Sequence, residues 1–182
     1  MGGHNAVLVL ADADLERAAR GSVMAAYGTT GQRCTAPRRI IAVRSVADEL
    51  VSLLAEETAK ITVGPGDAMG VDVGPLIDAK ALAEVSAQLE RAVEEGAEIA
   101  ARGSSVGGTS GYFLEPTLLA NVTPEMTIAR DEVFGPILPV LTVADYAEAM
   151  SVARSTRYGL STSISTRDLG TAIRFMHETD SG

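Results

Sequence analysis

Short apolar runs alternate with amphipathic stretches along most of the chain. Ala6-Val7-Leu8-Val9-Leu10 is uniformly apolar and rich in β-branched residues, which predicts a strand buried on both faces. Asp12 and Asp14 stand ready as N-caps for a helix that opens at Leu15-Glu16-Arg17-Ala18-Ala19 and runs to about Tyr27. Gly28 and Gly31 break that pattern, Pro37 forbids an early restart, and Ile40-Ile41-Ala42-Val43 reads as the next buried strand. Ser45 could cap a second helix, in which Val46, Leu50, Leu53, Leu54 and Ile61 recur at helical spacing; the turn Gly64-Pro65-Gly66-Asp67 ends it.

The rhythm continues downstream. An amphipathic helix is predicted from about Asp78 to Glu95 with Gly96 as its C-cap, followed by a strand at Ala97–Ala101. Gly103–Gly111 reads as a flexible surface loop, and it is no phosphate cradle, because no helix starts after it. Tyr112–Leu119 is extended with a kink at Pro116, and Ile137–Val143 is a strand. Asp145 caps a helix to about Thr156, Tyr158–Ser165 is a further strand, and Asp168 opens a last helix that Gly182 closes. Strands alternating with helices imply βαβ crossovers. The expected class is α/β, a largely parallel sheet with helices on both faces.

Composition narrows the function. At 182 residues the chain suffices for one domain with a sizeable core, so residues 1–182 are read as a single domain. A formal net charge of −9 argues against nucleic acid and anionic membranes as partners, since phosphate contacts need clustered cations. One cysteine rules out an internal disulfide and suits a reducing compartment. With neither a membrane-length apolar run nor a signal-peptide pattern, the expected location is the cytoplasm. His4 and His177 stand far apart with no cysteine or carboxylate cluster to join them, so no metal site is expected.

Chemistry concentrates at Thr29-Thr30-Gly31-Gln32-Arg33-Cys34-Thr35-Ala36-Pro37-Arg38, a Gly- and Pro-bounded loop between a helix and a strand. A lone cysteine is commonly a small core hydrophobe, but the neighbours here are polar and basic. As a thiolate, Cys34 would be a strong nucleophile, and the N–H groups of a tight loop could hold an oxyanion beside it. Arg33 and Arg38 could favour the thiolate or could point to solvent. Glu132 alone reads as a surface carboxylate, and Phe134 as a packing aromatic beside Gly135 and Pro136.

Several segments together resemble the catalytic domain of the aldehyde dehydrogenase superfamily. Gly31-Gln32-Arg33-Cys34 is similar to the family's Gly-Gln-x-Cys motif, and Glu132-Val133-Phe134-Gly135-Pro136 to its Glu-x-Phe-Gly-Pro motif. Gly2-Gly3-His4-Asn5, Gly74-Pro75-Leu76, Glu115-Pro116-Thr117 and Tyr158-Gly159-Leu160-Ser161 follow the family's order. The resemblance implies that the Cys34 thiolate attacks an aldehyde to give a thiohemiacetal. Hydride then passes to NAD or NADP, and water hydrolyses the resulting thioester to an acid. It further implies that Glu132 binds the nicotinamide ribose hydroxyls, that Phe134 places the nicotinamide, and that the parent protein is a homo-oligomer.

Departures from the family pattern shape the remaining expectations. The family's general-base glutamate, which stands just ahead of the Gly-Gly pair, has no counterpart here. Its dinucleotide-binding half, the asparagine that completes the oxyanion site and the oligomerisation arm also lack counterparts. The chain therefore reads as a truncated catalytic domain, inactive in isolation, whose cofactor is bound mainly by the absent half. Gly28–Thr35 looks like the α-aminoadipic semialdehyde group and Asn121–Ala129 like the α-ketoglutaric semialdehyde group, so a carboxylate-bearing semialdehyde is the expected substrate class. Two other readings stand beside this one: a cofactor-independent thiol esterase, and a non-catalytic domain that pairs with full-length subunits.

Overall fold

The computed structural model describes residues 2–106 and 110–181. Strands β1 (Asn5–Val9), β2 (Pro37–Val43), β4 (Glu98–Arg102), β6 (Thr117–Val122), β7 (Ile137–Val143) and β8 (Thr162–Ser165) form one sheet, in the order β4-β6-β7-β2-β1-β8. β4 lies antiparallel on β6, and every other pairing is parallel. A separate parallel pair joins β3 (Thr62–Val63) to β5 (Ser104–Ser105). The α/β expectation holds.

Alternation along the central strands explains why their sequences are apolar throughout. Ala6, Leu8, Ile41, Val43, Ile137 and Leu141 project into one core. Val7, Val9, Ile40, Ala42, Leu138 and Val140 project into the other. Helices α1 (Leu15–Tyr27) and α2 (Arg44–Ala59) cover the second core through Ala19, Val23, Ala26, Ala47, Leu50 and Leu54. Helices α3 (Ala79–Glu94), α5 (Tyr146–Arg154) and α6 (Leu169–Glu178) cover the first, through Val85, Leu89, Ala149, Met150 and Phe175. Each fully buried leucine or isoleucine contributes about 2 kcal/mol, so the two cores are the main source of stability. Asp14, Asp78, Asp145 and Asp168 cap their helices, each carboxylate accepting an N–H from the first turn.

Several boundaries differ from expectation. Pro37, Arg38 and Arg39 belong to β2, where the edge of the cysteine loop was expected to be irregular. α2 stops at Ala59, leaving Ile61 outside the helix and Thr62–Val63 free to pair with Ser104–Ser105, so the predicted loop at 103–111 begins as a strand. Residues 107–109 of that loop and the predicted C-cap Gly182 lie outside the described residues. β8 begins at Thr162, and Tyr158–Ser161 is loop rather than strand. A one-turn helix α4 (Thr127–Arg130) had no sequence signal. Among the described residues no helix is long and apolar enough to cross a membrane.

Candidate active site

Open α/β sheets usually bind ligands beyond the carboxyl ends of their strands. Here the chemistry-bearing loops sit at the opposite end. Gly2–His4 lead into β1, the Cys34 loop into β2, Glu132–Pro136 into β7 and Tyr158–Ser161 into β8. These four strands are consecutive in the sheet, in the order β7-β2-β1-β8, so four segments far apart in sequence meet at one edge. At the other edge, between β1 and β8, the Asp12 carboxylate takes the Thr166 hydroxyl (2.8 and 2.9 Å) and the N–H groups of Arg167 (2.8 Å) and Asp168 (3.0 Å).

The cysteine loop is built from unusual backbone. α1 runs into a 3-10 turn at Gly28–Gly31 in which Thr29, Thr30 and Gly31 all have positive φ (58°, 57° and 67°). Non-glycine residues in that region are strained by roughly 1–3 kcal/mol each. The surroundings hold them there. The Thr30 hydroxyl donates to Gly74 O (3.0 Å), and the Gln32 side chain bridges Pro75 O (3.3 Å) and Ile77 N (2.9 Å). This accounts for the Gly74-Pro75-Leu76 segment: it is the clamp on the loop. A Cβ on Gly31 would lie 2.3 Å from Gly135 O, so the glycines of the two motifs exist to let the two backbones touch.

The Gly2–Gly3 pair approaches both Cys34 and Glu132. A Cβ on Gly3 would come within 2.3 Å of Cys34 O, and one on Gly2 within 2.2 Å of Glu132 Oε2. Gly3 N–H donates to Glu132 Oε1 at 2.9 Å, and the Gln88 side chain donates to Glu132 O at 3.4 Å. Cys34 is exposed, Glu132 is half-buried and Phe134 is 45% exposed. Glu132 and Phe134, with Gln32, Ile77, Val85 and Gln88, line a cleft of about 440 Å³. The structure thus brings the three predicted site residues to one edge of the sheet.

Arg33 and Arg38, whose orientation the sequence leaves open, part ways. Arg33 is exposed and donates to Ala25 O (3.2 Å). Arg38 does not face solvent: it is 1% exposed, donates through Nη2 to Arg33 O (2.9 Å), and lies over the Phe134 ring at 5.2 Å. Burial pushes its guanidinium down to about 10, and Glu132 and Cys34 oppose that shift.

Arg39 and His4 carry no signal in the sequence beyond their place beside motifs. Arg39, also 1% exposed, donates to the carbonyls of Val152, His4 and Ala153, each at 3.0 Å, and to Ala129 O at 3.5 Å. Burial pushes it, too, down to about 10. His4 is 3% exposed and its Nε2–H donates to Ala129 O at 2.7 Å. Burial, reinforced by the Arg39 charge, lowers its imidazole to about 3. Both residues brace the segment that carries Gly2 and Gly3. Asn5, likewise unassigned by sequence reasoning, contacts the cysteine loop directly, with Nδ2 donating to Cys34 O and Ala36 O, each at 2.8 Å.

A loop-borne thiol that shares the amino edge of a mainly parallel sheet with a carboxylate and a half-exposed phenyl ring defines a thiol-bearing α/β fold. The aldehyde dehydrogenase family profile matches residues 1–182, and the chain belongs to the aldehyde dehydrogenase family. It is 36% identical over 185 residues to an α-ketoglutaric semialdehyde dehydrogenase of Bacillus subtilis, covering 100% of this chain and 38% of that protein. An aldehyde dehydrogenase of Pseudomonas syringae, solved with NAD+ and octanal, superposes with a TM-score of 0.94 at 32% identity, over 100% of this chain and 38% of the other. An NADP-dependent glyceraldehyde-3-phosphate dehydrogenase of Bacillus halodurans, solved with NADP, superposes with a TM-score of 0.91 at 39% identity, over 100% and 37%. The chain therefore spans under two fifths of the length of these relatives.

Proposed function

We propose that residues 1–182 are the cysteine-bearing catalytic domain of an NAD(P)-dependent aldehyde dehydrogenase. The observation that carries this reading is that Gly2–Gly3 touches both Cys34 and Glu132, with no room for a side chain at either glycine. The Cys34 sulfur adds to the aldehyde carbon, and the carbonyl oxygen turns toward the N–H groups of the cysteine loop. Covalent capture fixes the carbon that must lose hydride, which removes the entropic cost of orienting it.

The residues present fit a nicotinamide ribose. Glu132 uses one carboxylate oxygen on Gly3 N–H and keeps acceptor capacity for a hydroxyl pair, while Phe134 offers a half-exposed ring face held from behind by Arg38. The bound nicotinamide supplies a hydride acceptor. The remaining length of the relatives supplies most of the cofactor contacts and the base for the water step, so the 182-residue chain alone completes no oxidation. The name of the Bacillus subtilis relative supports a carboxylate-bearing semialdehyde as substrate class.

The test is protection of Cys34. Reversible thiohemiacetal formation should slow alkylation of the chain by iodoacetamide in proportion to added aldehyde. A semialdehyde with a terminal carboxylate should protect at lower concentration than the aldehyde of equal length without one. Alkylation that is indifferent to both compounds would end the reading. Aldehyde- and nicotinamide-dependent turnover by the isolated chain would overturn the part that assigns the base and cofactor contacts elsewhere.

A further inference from the structure

Cys34 occupies the second position of a β-turn closed by Ala36 N–H donating to Arg33 O at 3.1 Å. Every carbonyl of that turn is held. Arg33 O takes Arg38 Nη2 as well as Ala36 N–H. Thr35 O takes the Ser161 hydroxyl at 3.5 Å. Cys34 O and Ala36 O both take the side-chain amide of Asn5, each at 2.8 Å. The N–H groups of Cys34 and Thr35 donate to no acceptor among the described residues. A turn whose carbonyls are all tied inward presents its amide donors outward, which is the condition for stabilising a negative oxygen formed at the adjoining sulfur.

Asn5 supplies two of these ties and is itself fixed. It is 4% exposed, and its Oδ1 accepts Ser161 N–H at 3.1 Å, so both amide hydrogens and the oxygen are used. The amide orientation follows from that set, because the opposite flip would put an oxygen against two carbonyls. One short side chain thus joins the Gly2–Gly3 segment, the cysteine turn and the Tyr158–Ser161 loop.

We infer that Asn5 is a positioning residue that sets the Cys34 turn for oxyanion stabilisation; the inference rests on the role proposed above for Cys34. It acts through the backbone and touches neither substrate nor cofactor. Two reagents separate this role from mere support of the fold. With p-nitrophenyl acetate, the Cys34 thiolate adds to the carbonyl, a tetrahedral oxyanion forms, and p-nitrophenolate leaves as the thioester is made. With iodoacetamide, the same thiolate forms a carbon–sulfur bond as iodide leaves, and no oxyanion arises. The first reaction needs the turn's N–H groups in place, whereas the second needs only an accessible thiolate.

Asn5→Asp keeps the shape but replaces both donors with an acceptor. Asn5→Ser leaves at most one donor and adds no charge. The ratio of acylation to alkylation rate should fall by about tenfold or more in Asn5→Asp and less in Asn5→Ser, well below the 10²–10³ that loss of an entire oxyanion donor costs. If Asn5→Asp does not fold by near-ultraviolet circular dichroism, Asn5→Ser carries the comparison. An unchanged ratio in a folded variant, or equal losses in both reactions alongside a lower Tm, would overturn the inference and leave the role of Cys34 standing. Failure of the native chain to release p-nitrophenolate in step with Cys34 acylation would remove both.

Discussion

Lowering the pH should destabilise this protein through His4, by an amount that a single substitution can isolate. The imidazole is 3% exposed and donates through Nε2–H to Ala129 O, while its Nδ1 is buried with no hydrogen-bond partner among the described residues. A second proton would have to enter at Nδ1, in a site already holding the Arg39 guanidinium. Burial first and that charge second depress the folded value from 6.5 to about 3. The unfolded chain binds the proton near pH 6.5 and the native chain does not, so the unfolded state carries more protons between these limits. Stability is therefore unaffected by His4 above about pH 6.5 and falls as pH drops below it, by about 1.4 kcal/mol per unit. Down to about pH 4 the loss is on the order of 3 kcal/mol, a large share of the 5–15 kcal/mol typical of a domain.

His4→Gln provides the comparison, because its amide can still donate toward Ala129 O but does not titrate. Urea unfolding followed by far-ultraviolet circular dichroism, at several values from about pH 7 to pH 4, gives stability for both proteins. Lowered carboxylates such as Asp12 and Glu95 also lose their contribution as pH falls, but equally in both chains. The difference between the two curves should be flat above about pH 6.5 and should narrow by roughly 3 kcal/mol toward pH 4, in favour of the variant. Parallel curves over the whole range would refute a buried neutral imidazole. So would a difference that opens above pH 7.

Three other perturbations probe the frame of the site. Gly31→Ala combines a positive φ with a methyl group 2.3 Å from Gly135 O, and should cost about 2–4 kcal/mol in urea unfolding. Arg39→Met strips donors from the carbonyls of Val152, Ala153 and His4, and should cost about 3 kcal/mol or more, with Arg39→Lys recovering only part because it lacks the planar fork. Asp12→Ala removes the acceptor that joins Thr166, Arg167 and Asp168, on the exposed side of the sheet, so the expected loss is only about 1 kcal/mol, with faster amide exchange at Arg167 and Asp168.

What could be read from the sequence follows from how local the physics is. The strands of the central sheet are uniformly apolar because both faces are covered, and the helix starts announce themselves through Asp14, Asp78, Asp145 and Asp168. Thr62–Val63 was invisible for the opposite reason: its pairing partner, Ser104–Ser105, lies some forty residues away and has no hydrophobic pattern. Arg38 and Arg39 show the same limit at the site. Adjacent cations after a proline resemble solvated surface, and nothing local reveals that the strand register sends one beneath Phe134 and the other among four carbonyls.

The exposed face of α6 extends that reasoning to the surface. Leu169 and Met176 are each 73% exposed and Ile173 is 47% exposed, at i, i+4 and i+7 along one helix, while Phe175 alone of that helix is buried. Among the described residues, the edge strand β8 pairs with β1 alone. An apolar helical stripe beside an open strand edge is a surface still short of its cover. The cysteine-loop edge is different in kind: its four loops interlock through the contacts of Gly2, Gly3 and Gly31 and the bonds of Asn5, and Gln32 and Arg39 tie them to the segments behind. On the reading proposed above, that contrast would let the cysteine loop stay ordered within these residues while the α6 face takes a further partner surface.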